Sequence, residues 1–530
     1  MATWRNLLAL TVLAVGTVPL IAVFPGQSVA ARELVPDKAV MVMRHGIRAP
    51  LDGEVPAGTR TAAPWPAWSV AESVVTPHGE RALEIVARAD RQLLARRGLL
   101  DRAGCPKPGK VAITANTSPR AIASGEAYAH GFAQGCGLEV AHRAAGEVDP
   151  IFEPLRARAT AFDASAAVAD IERATGGMAA LVKRDRAELA LLDTVLGCGG
   201  DCLPPGAPAV APGGDGHDIA LSGQIRSASG IAQVLLLQYL EGMPADQVGW
   251  GRIDEKGLER LGRLHADLFT VFTRPPYMAS HQASALGRRI LDNLERGPDF
   301  EVLMGHDTNV TALAAALDVD LSASGYATND VPPGGAILIE RLHDRRTGER
   351  FVRVSYRTQP PAALRALRGD VSLTPLVLPA CGTELCPYAA FVSRSAAGLR
   401  RGRPERFAAW SAQRIAAIAV KRAAGHVRVV QQEQGGLGLL VDMGRAPYEA
   451  ELPPLRISGF ALGGGPFAPE FAVGGAGGEA IDPDRRQFDG QPAREPFQRG
   501  IAGRIGRSPD RPGRGRTGHQ DHRGIGAQPG

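Results

Sequence analysis

With 530 residues, 44% of them hydrophobic and 22% charged, the chain carries enough apolar material for two domains with buried cores and too much to be disordered throughout. Its formal charge of +5 does not argue for a nucleic-acid partner, because much of the arginine excess lies beyond residue 394.

At the start, Arg5 precedes an apolar run from Leu7 to Phe24, followed by Ser28-Val29-Ala30. This reads as a secretory signal peptide over residues 1–30, with an uncleaved anchor as the alternative; no later stretch is long enough to span a membrane. Export to the periplasm or the medium permits disulfides, and the cysteines fall as three neighbouring couples: Cys105 and Cys136, Cys198 and Cys202, Cys381 and Cys386. Spacing alone does not decide their pairing. A zinc site is disfavoured, since no couple has a second Cys or His couple at finger-like spacing.

The apolar run Ala39-Val40-Met41-Val42-Met43 has the length and composition of a buried parallel strand, and it leads directly into Arg44-His45-Gly46-Ile47-Arg48-Ala49-Pro50. Ligands of open α/β sheets sit at the carboxyl ends of strands, so two guanidinium groups and an imidazole delivered there read as an anion pocket. Gly46 permits close backbone approach, and Pro50 stiffens the exit. A turn-rich loop through Val55-Pro56 and Pro64-Trp65-Pro66 follows, then a helix from Thr76 to about Arg97 that Gly98 ends. Residues 110–116 read as a second buried strand. Ser118-Pro119-Arg120 opens the next helix, placing Arg120 where backbone N–H groups also attract anions.

Residues 161–196 and 219–240 are mostly helix-patterned, with a Gly- and Pro-rich loop between them, and two further helices are expected near 258–272 and 278–293. Phe300-Glu301-Val302-Leu303-Met304-Gly305 reads as a third strand running into His306-Asp307-Thr308-Asn309, with a helix over 310–317. Residues 336–340 and 351–356 read as a closing hairpin. From about Arg394 the patterning stops and Gly, Pro, Arg and Ala dominate, so residues 394–530 are expected to be a low-complexity, disordered, appended tail.

The sequence Arg44-His45-Gly46-x-Arg48-x-Pro50, together with the distant His306-Asp307, resembles the two signature motifs of the histidine acid phosphatases, the exported branch of the histidine phosphatase superfamily. The resemblance spans roughly residues 38–390. It implies an α/β fold: a mostly parallel central sheet flanked by helices (about 31–145 and 297–393) with a smaller α-helical domain inserted at about 146–296. It also implies the three sequential disulfides and Arg120 as a third phosphate-binding arginine. Transfer of a phosphoryl group consists mainly of neutralising charge and aligning nucleophile with leaving group. On this resemblance His45 attacks phosphorus to give a phosphohistidine, while Arg44, Arg48, Arg120 and His306 hold the equatorial oxygens. Asp307, protonated, donates to the leaving oxygen and then activates water. No metal or cofactor is called for; the partner is a small phosphate ester, with no stable membrane association once the signal is cleaved.

Three pocket candidates bear on substrate. Leu51 and the segment Leu237–Val248 are similar to glucose-1-phosphatases, whereas Thr308 fits the phytase-like His-Asp-Thr-Asn form, so sugar phosphates are favoured with phytate as the alternative. Glu241 is the next candidate acid should Asp307 not serve. Two rival readings remain. A phosphoglycerate mutase-like phosphotransferase shares Arg-His-Gly but carries an acidic or amide residue where Ile47 stands. A catalytically inactive phosphate-binding protein has little reason to keep both His45 and Asp307.

Overall fold

Strand β1 (Leu34–Arg44) is buried on both faces over its second half, as its unbroken apolar run requires. In the computed structural model, which describes residues 32–399, successive side chains of this strand feed two different cores. Residues 1–31 and the chain beyond residue 399, on which the signal-peptide and tail expectations fall, lie outside the described residues. Ala39, Met41 and Met43 pack with Leu83, Val86 and Leu94 of α1 (Pro77–Arg96) and with Ala121, Tyr128 and Phe132 of α2 (Pro119–Phe132). Val40 and Val42 face the other layer, with Leu286, Ile290, Val310 and Leu313.

The central sheet has the order β10-β8-β7-β1-β6-β2-β3. It is parallel from β1 through β6 (Phe300–Gly305) and β2 (Val111–Ala115) to the short β3 (Val140–Ala141). It turns antiparallel where β7 (Ala336–Asp344), β8 (Arg350–Thr358) and β10 (Leu385–Pro387) extend it, and β9 (Ser372–Pro375) pairs with β8. The expected hairpin is thus the β7–β8 pair. Register decides what this sheet can do: Arg44 lies opposite Gly305, and Ala115 opposite Met304, so three parallel strands end at one edge. His45, Asn116 and His306 are the next residues of each chain segment there.

Between β3 and β6 run α3 (Ala164–Thr175), α4 (Met178–Arg184), α5 (Arg186–Leu196), α6 (Gln224–Leu240), α7 (Glu255–Phe272), α8 (Pro276–Gln282) and α9 (Ser284–Arg296). The expectation of helix from residue 219 is corrected here. Ile219–Ser222 is strand β5, paired antiparallel with β4 (Ala209–Pro212), which lies within the stretch read as loop. Two four-residue runs brought together by the 213–216 turn satisfy each other's backbone groups. Gly223, at φ 86°, then turns the chain so that α6 starts only at Gln224. Helix α10 (Asp307–Ala316) follows β6, and α11 (Pro361–Arg365) follows β8. The domain end expected at residue 393 falls inside α12 (Tyr388–Leu399), because helix-compatible residues continue through 395–399.

The sequential disulfides are formed: Cys105 to Cys136, Cys198 to Cys202 and Cys381 to Cys386. Among the described residues no helix is long and apolar enough to cross a membrane.

One polar element crosses the sheet core. Arg357 of β8 and Asp90 of α1, both fully buried, meet at 2.9 Å, and Tyr128 of α2 donates its hydroxyl to the same carboxylate oxygen at 3.0 Å. Arg357 Nη1 donates to the Gly334 carbonyl, while the Gly334 N–H reaches the carbonyls of Arg44 and His45 at 3.2 and 3.1 Å. The pair therefore anchors the loop that clasps the end of β1. Removing one partner of a buried ion pair leaves the other charge uncompensated, so Asp90→Ala should cost about 3–5 kcal/mol in urea unfolding. The double variant Asp90→Leu/Arg357→Met, which leaves no unpaired charge, should recover most of that loss. An Asp90→Ala protein with the wild-type midpoint would show that the pair does not hold this loop.

Candidate active site

The end of β1 is fixed by backbone before any side chain acts. The His45 N–H donates to the Gly305 carbonyl at 2.9 Å, and the Gly46 N–H donates to Ser124 Oγ at 2.9 Å, which itself donates to the Arg120 carbonyl at 2.6 Å. The two strand-to-helix junctions carrying the motif and Arg120 are thus tied together. Gly46 leaves room for α1: a Cβ there would lie 2.6 Å from Leu83 Cδ1, which would have to move aside.

His45 is buried, and its Nδ1 lies 2.9 Å from its neighbour's carbonyl, Gly46 O. A carbonyl only accepts, so Nδ1 carries the proton and Nε2 keeps its lone pair. Burial, then Arg48, Arg44, His306 and Arg120, push the imidazole well below its ordinary value, leaving it neutral in acid. This neutral ring lines a cavity of about 430 Å³, together with Arg48, Arg120, His306 and Asp307.

Arg44 is fully buried; it donates to the Val331 carbonyl, to Gln233 Oε1 at 2.6 Å and pairs with Asp307 Oδ2 at 3.0 Å. Arg48 forms a two-point pair with Glu54, at 2.9 and 2.6 Å. In each of Arg44, Arg48 and Arg120, however, the Nε–H is buried without a hydrogen-bond partner, as are Ser229 Oγ and Gln233 Nε2. Orphaned buried donors are costly and uncommon. Together these groups give the site a dense set of cationic and neutral donors, the chemistry that suits an oxyanion with several oxygens.

His306 caps α10, and its N–H donates to Asn309 Oδ1 at 2.9 Å. Its Nε2 lies 3.0 Å from Asn116 Oδ1, the same oxygen that accepts from the Ser118 N–H, so Nε2 bears the proton. Nδ1 then accepts from Arg120 Nη2 at 3.4 Å. Burial and Arg120 lower its pKa to about 3, so the ring is neutral. In this arrangement neither ring nitrogen has an N–H free for an oxyanion, and His306 orients Arg120; direct contact with phosphate needs the ring to turn or take up a proton.

Asp307 stands at the N-terminus of α10. Burial raises its carboxyl, but Arg44, then His265 and His45, outweigh this and hold it well below the usual carboxylate range. The expectation of a protonated Asp307 is therefore corrected for the free site: the carboxylate is ionised because Arg44 is paired with it.

Leu51 and Thr308 line the cavity, as expected of pocket residues. Glu241 does not; it follows α6 and accepts from Thr76 Oγ1 at 2.5 Å. The structure also adds residues that sequence reasoning passed over: Glu54, Asn116, Ser229, Gln233, His265 and Asp330. A signal existed for some of them. Arg226, Ser229, Gly230 and Gln233 are spaced as one face of the mostly apolar α6, and all four line the cavity. Among the described residues no group of three or more His, Cys, Asp or Glu is placed to hold a metal ion.

The nucleophile's protonation gives a pH prediction. The acid limb of kcat/KM reports free-enzyme groups, so a His45 kept neutral by cations should hold activity well into acid. Arg48 is the foremost of those cations. Arg48→Gln should lower kcat/KM and also move the acid limb toward neutral pH, measured across acidic pH on an aryl phosphate. A lowered rate with an unmoved limb would mean that Arg48 does not set the protonation of His45.

The family described as histidine phosphatase superfamily (branch 2) matches residues 37–171, which contain the β1 motif and Arg120. Phytase AppA of Escherichia coli (strain K12) is 30% identical over 381 residues, spanning 64% of this chain and 87% of that protein. A glucose-1-phosphatase of Salmonella typhimurium is 27% identical over 376 residues, spanning 67% of this chain and 90% of the relative. The solved structure of Hafnia alvei phytase in complex with tartrate superposes with a TM-score of 0.65 at 27% identity, covering 70% of this chain and 99% of that one. A neutral histidine sharing one cavity with Arg48 and Arg120 at a parallel strand edge agrees with that kinship: the chain belongs to the histidine acid phosphatase family, whose chemistry is phosphomonoester hydrolysis.

Proposed function

We propose that the enzyme hydrolyses the monophosphate ester of a sugar or similar polyol through a phosphohistidine on His45. One observation carries this reading: His45, whose Nε2 keeps the lone pair, lines the same cavity as Arg48, Arg120 and Asp307, with Arg44 paired to Asp307 behind them. The Nε–H groups of Arg44, Arg48 and Arg120 hold the phosphoryl oxygens, and His45 Nε2 attacks phosphorus opposite the ester oxygen. Asp307 gives the ester oxygen its proton. It is ionised in the free site, so the proton must arrive with binding: a phosphate dianion beside Arg44 takes over the charge that depresses the carboxyl, and the carboxyl becomes basic enough to hold a proton. Once the alcohol leaves, the carboxylate activates water against the phosphohistidine.

The choice of a monophosphate rests on the rest of the cavity wall. Besides Arg48, its partner Glu54, and Arg120, the charged lining includes Asp52, Glu153 and Asp218 against Arg156 and Arg226, with no lysine among the lining residues. Arg156 is already paired with Glu153 at 2.6 Å. Such a wall disfavours a leaving group that bears further phosphates. Phytate is the second reading, favoured by Thr308 in the cavity and by the phytases among the similar proteins. We also propose that the enzyme works outside the cytoplasm, in the periplasm or secreted, on the apolar run at 7–24 and the three disulfides.

Leaving groups separate the roles. A sugar alkoxide needs a proton to depart, whereas a nitrophenolate leaves nearly unaided. Asp307→Asn should lose on the order of 10² to 10⁴ in kcat on a sugar phosphate and clearly less on nitrophenyl phosphate. Equal losses would make Asp307 a positioning group only. For substrate choice, kcat/KM on glucose 1-phosphate should exceed that on myo-inositol hexakisphosphate, and the opposite order would establish the phytase reading.

A further inference from the structure

The mechanism leaves a buried ionisable pair beside Asp307 unused. His265 sits on the apolar stripe of α7, between Leu261 and Phe269, and is buried, as is Asp330 in the loop before β7. His265 Nδ1 is 2.8 Å from Asp330 Oδ1, and its Nε2 is 3.8 Å from Asp307 Oδ2. The Asp330 carboxylate only accepts, so Nδ1 carries a proton and Nε2 is the nitrogen turned to Asp307. A buried histidine with a carboxylate on each side is an expensive arrangement for packing alone, and Phe269, whose ring meets it edge-on at 4.9 Å, supplies no polar partner.

Resting on the reading of Asp307 as the proton donor, we propose that His265, oriented by Asp330, is the proton store that charges Asp307 when substrate binds. His265 stands between two carboxylates, with Nδ1 at Asp330 and Nε2 toward Asp307, so a proton on Nε2 has Asp307 as its nearest acceptor. Arg44 on β1 competes for the same Asp307 oxygen, at 3.0 Å. His45 and His306 face the carboxyl from the strand ends, and on α6 Arg226 is the charged residue lining the same cavity. A dianionic phosphate engages Arg44 and frees Asp307 Oδ2 to turn toward Nε2, closing a separation that is too long for a hydrogen bond. The Nε2 proton passes to Asp307, leaving His265 neutral and still donating through Nδ1 to Asp330.

The proton count closes. As the His45 Nε2–phosphorus bond forms, the phosphorus–ester oxygen bond breaks, its electron pair stays on the oxygen, and that oxygen takes the Asp307 proton. In the second half, Asp307 takes a proton from water while the water oxygen bonds phosphorus and the nitrogen–phosphorus pair returns to His45. When phosphate leaves and Arg44 pairs with Asp307 again, this proton returns to His265. One proton circulates, and none is consumed beyond the water that is split.

His265 is on this account a positioning residue that acts through Asp307, so its test needs a readout that packing would not move. His265→Gln removes the titration and keeps a polar side chain; Asp330→Asn keeps an acceptor for Nδ1 and removes the charge. Both should lose on the order of 10- to 100-fold in kcat on glucose 1-phosphate, the usual cost of losing a supporting partner. On nitrophenyl phosphate the loss should stay within about threefold, because that leaving group hardly uses the acid. The alkaline limb on the sugar phosphate should move to lower pH in both variants, since Asp307 must then draw its proton from solvent. Equal losses on the two substrates with unmoved limbs, or wild-type behaviour of both variants, would overturn the proposal; should His265→Gln fail to fold, Asp330→Asn decides alone. His45→Ala on the same preparation separates the levels. If it is inactive and the His265 and Asp330 variants behave as wild type, only this inference fails; if it stays active, the phosphohistidine reading fails and takes this one with it.

Discussion

The structure depends on keeping three guanidinium groups and a neutral imidazole together at the carboxyl edge of β1. Like charges this close repel, and burial strengthens the repulsion. Relief comes from fixed acceptors: Glu54 for Arg48, and Asp307, Gln233 and the Val331 carbonyl for Arg44. None of these uses the Nε–H groups, so the cationic constellation is assembled by the fold's own acceptors with donor capacity left over. That is electrostatic preorganisation, in which the fold bears the cost of gathering charge before the reaction begins.

The same constraint explains the surrounding core. The loop 331–335 must lie against the end of β1 to accept from Arg44, and it is held there by Gly334, the buried Arg357 and Asp90. On the other side, α6 meets the loop after the motif at Gly230, where a Cβ would lie 2.2 Å from the Glu54 carbonyl. A side chain at that position would displace Glu54 and, with it, the partner of Arg48. The inserted helices therefore set the geometry of a motif that is more than a hundred residues away in sequence.

What could be read from the sequence was local. The apolar runs of β1, β2 and β6 announced buried strands, and the residues just after them were legible as an edge constellation because parallel neighbours end together. The β7–β8 hairpin was equally plain from its two runs. The β4–β5 hairpin was not, since four-residue strands carry too little periodicity to stand out from a neighbouring helix pattern. Glu54 and Asp330 were missed because their meaning lies in pairings that no spacing reveals, one with Arg48 and one with a histidine 65 residues away. The ionisation of Asp307 is of the same kind: the motif shows a carboxyl beside a histidine, whereas only the fold shows Arg44 against it.

The central claim is that His45 becomes covalently phosphorylated. Rapid-quench mixing of the enzyme with a radioactive phosphate ester, followed by peptide mapping under mildly alkaline conditions, measures this directly. The account predicts an acid-labile label on His45 that forms within the first turnover and is absent from His45→Ala. A stable label on Ser229 or Thr308, the hydroxyl residues lining the same cavity, or a first turnover that releases phosphate with no labelled protein at any time, would contradict it.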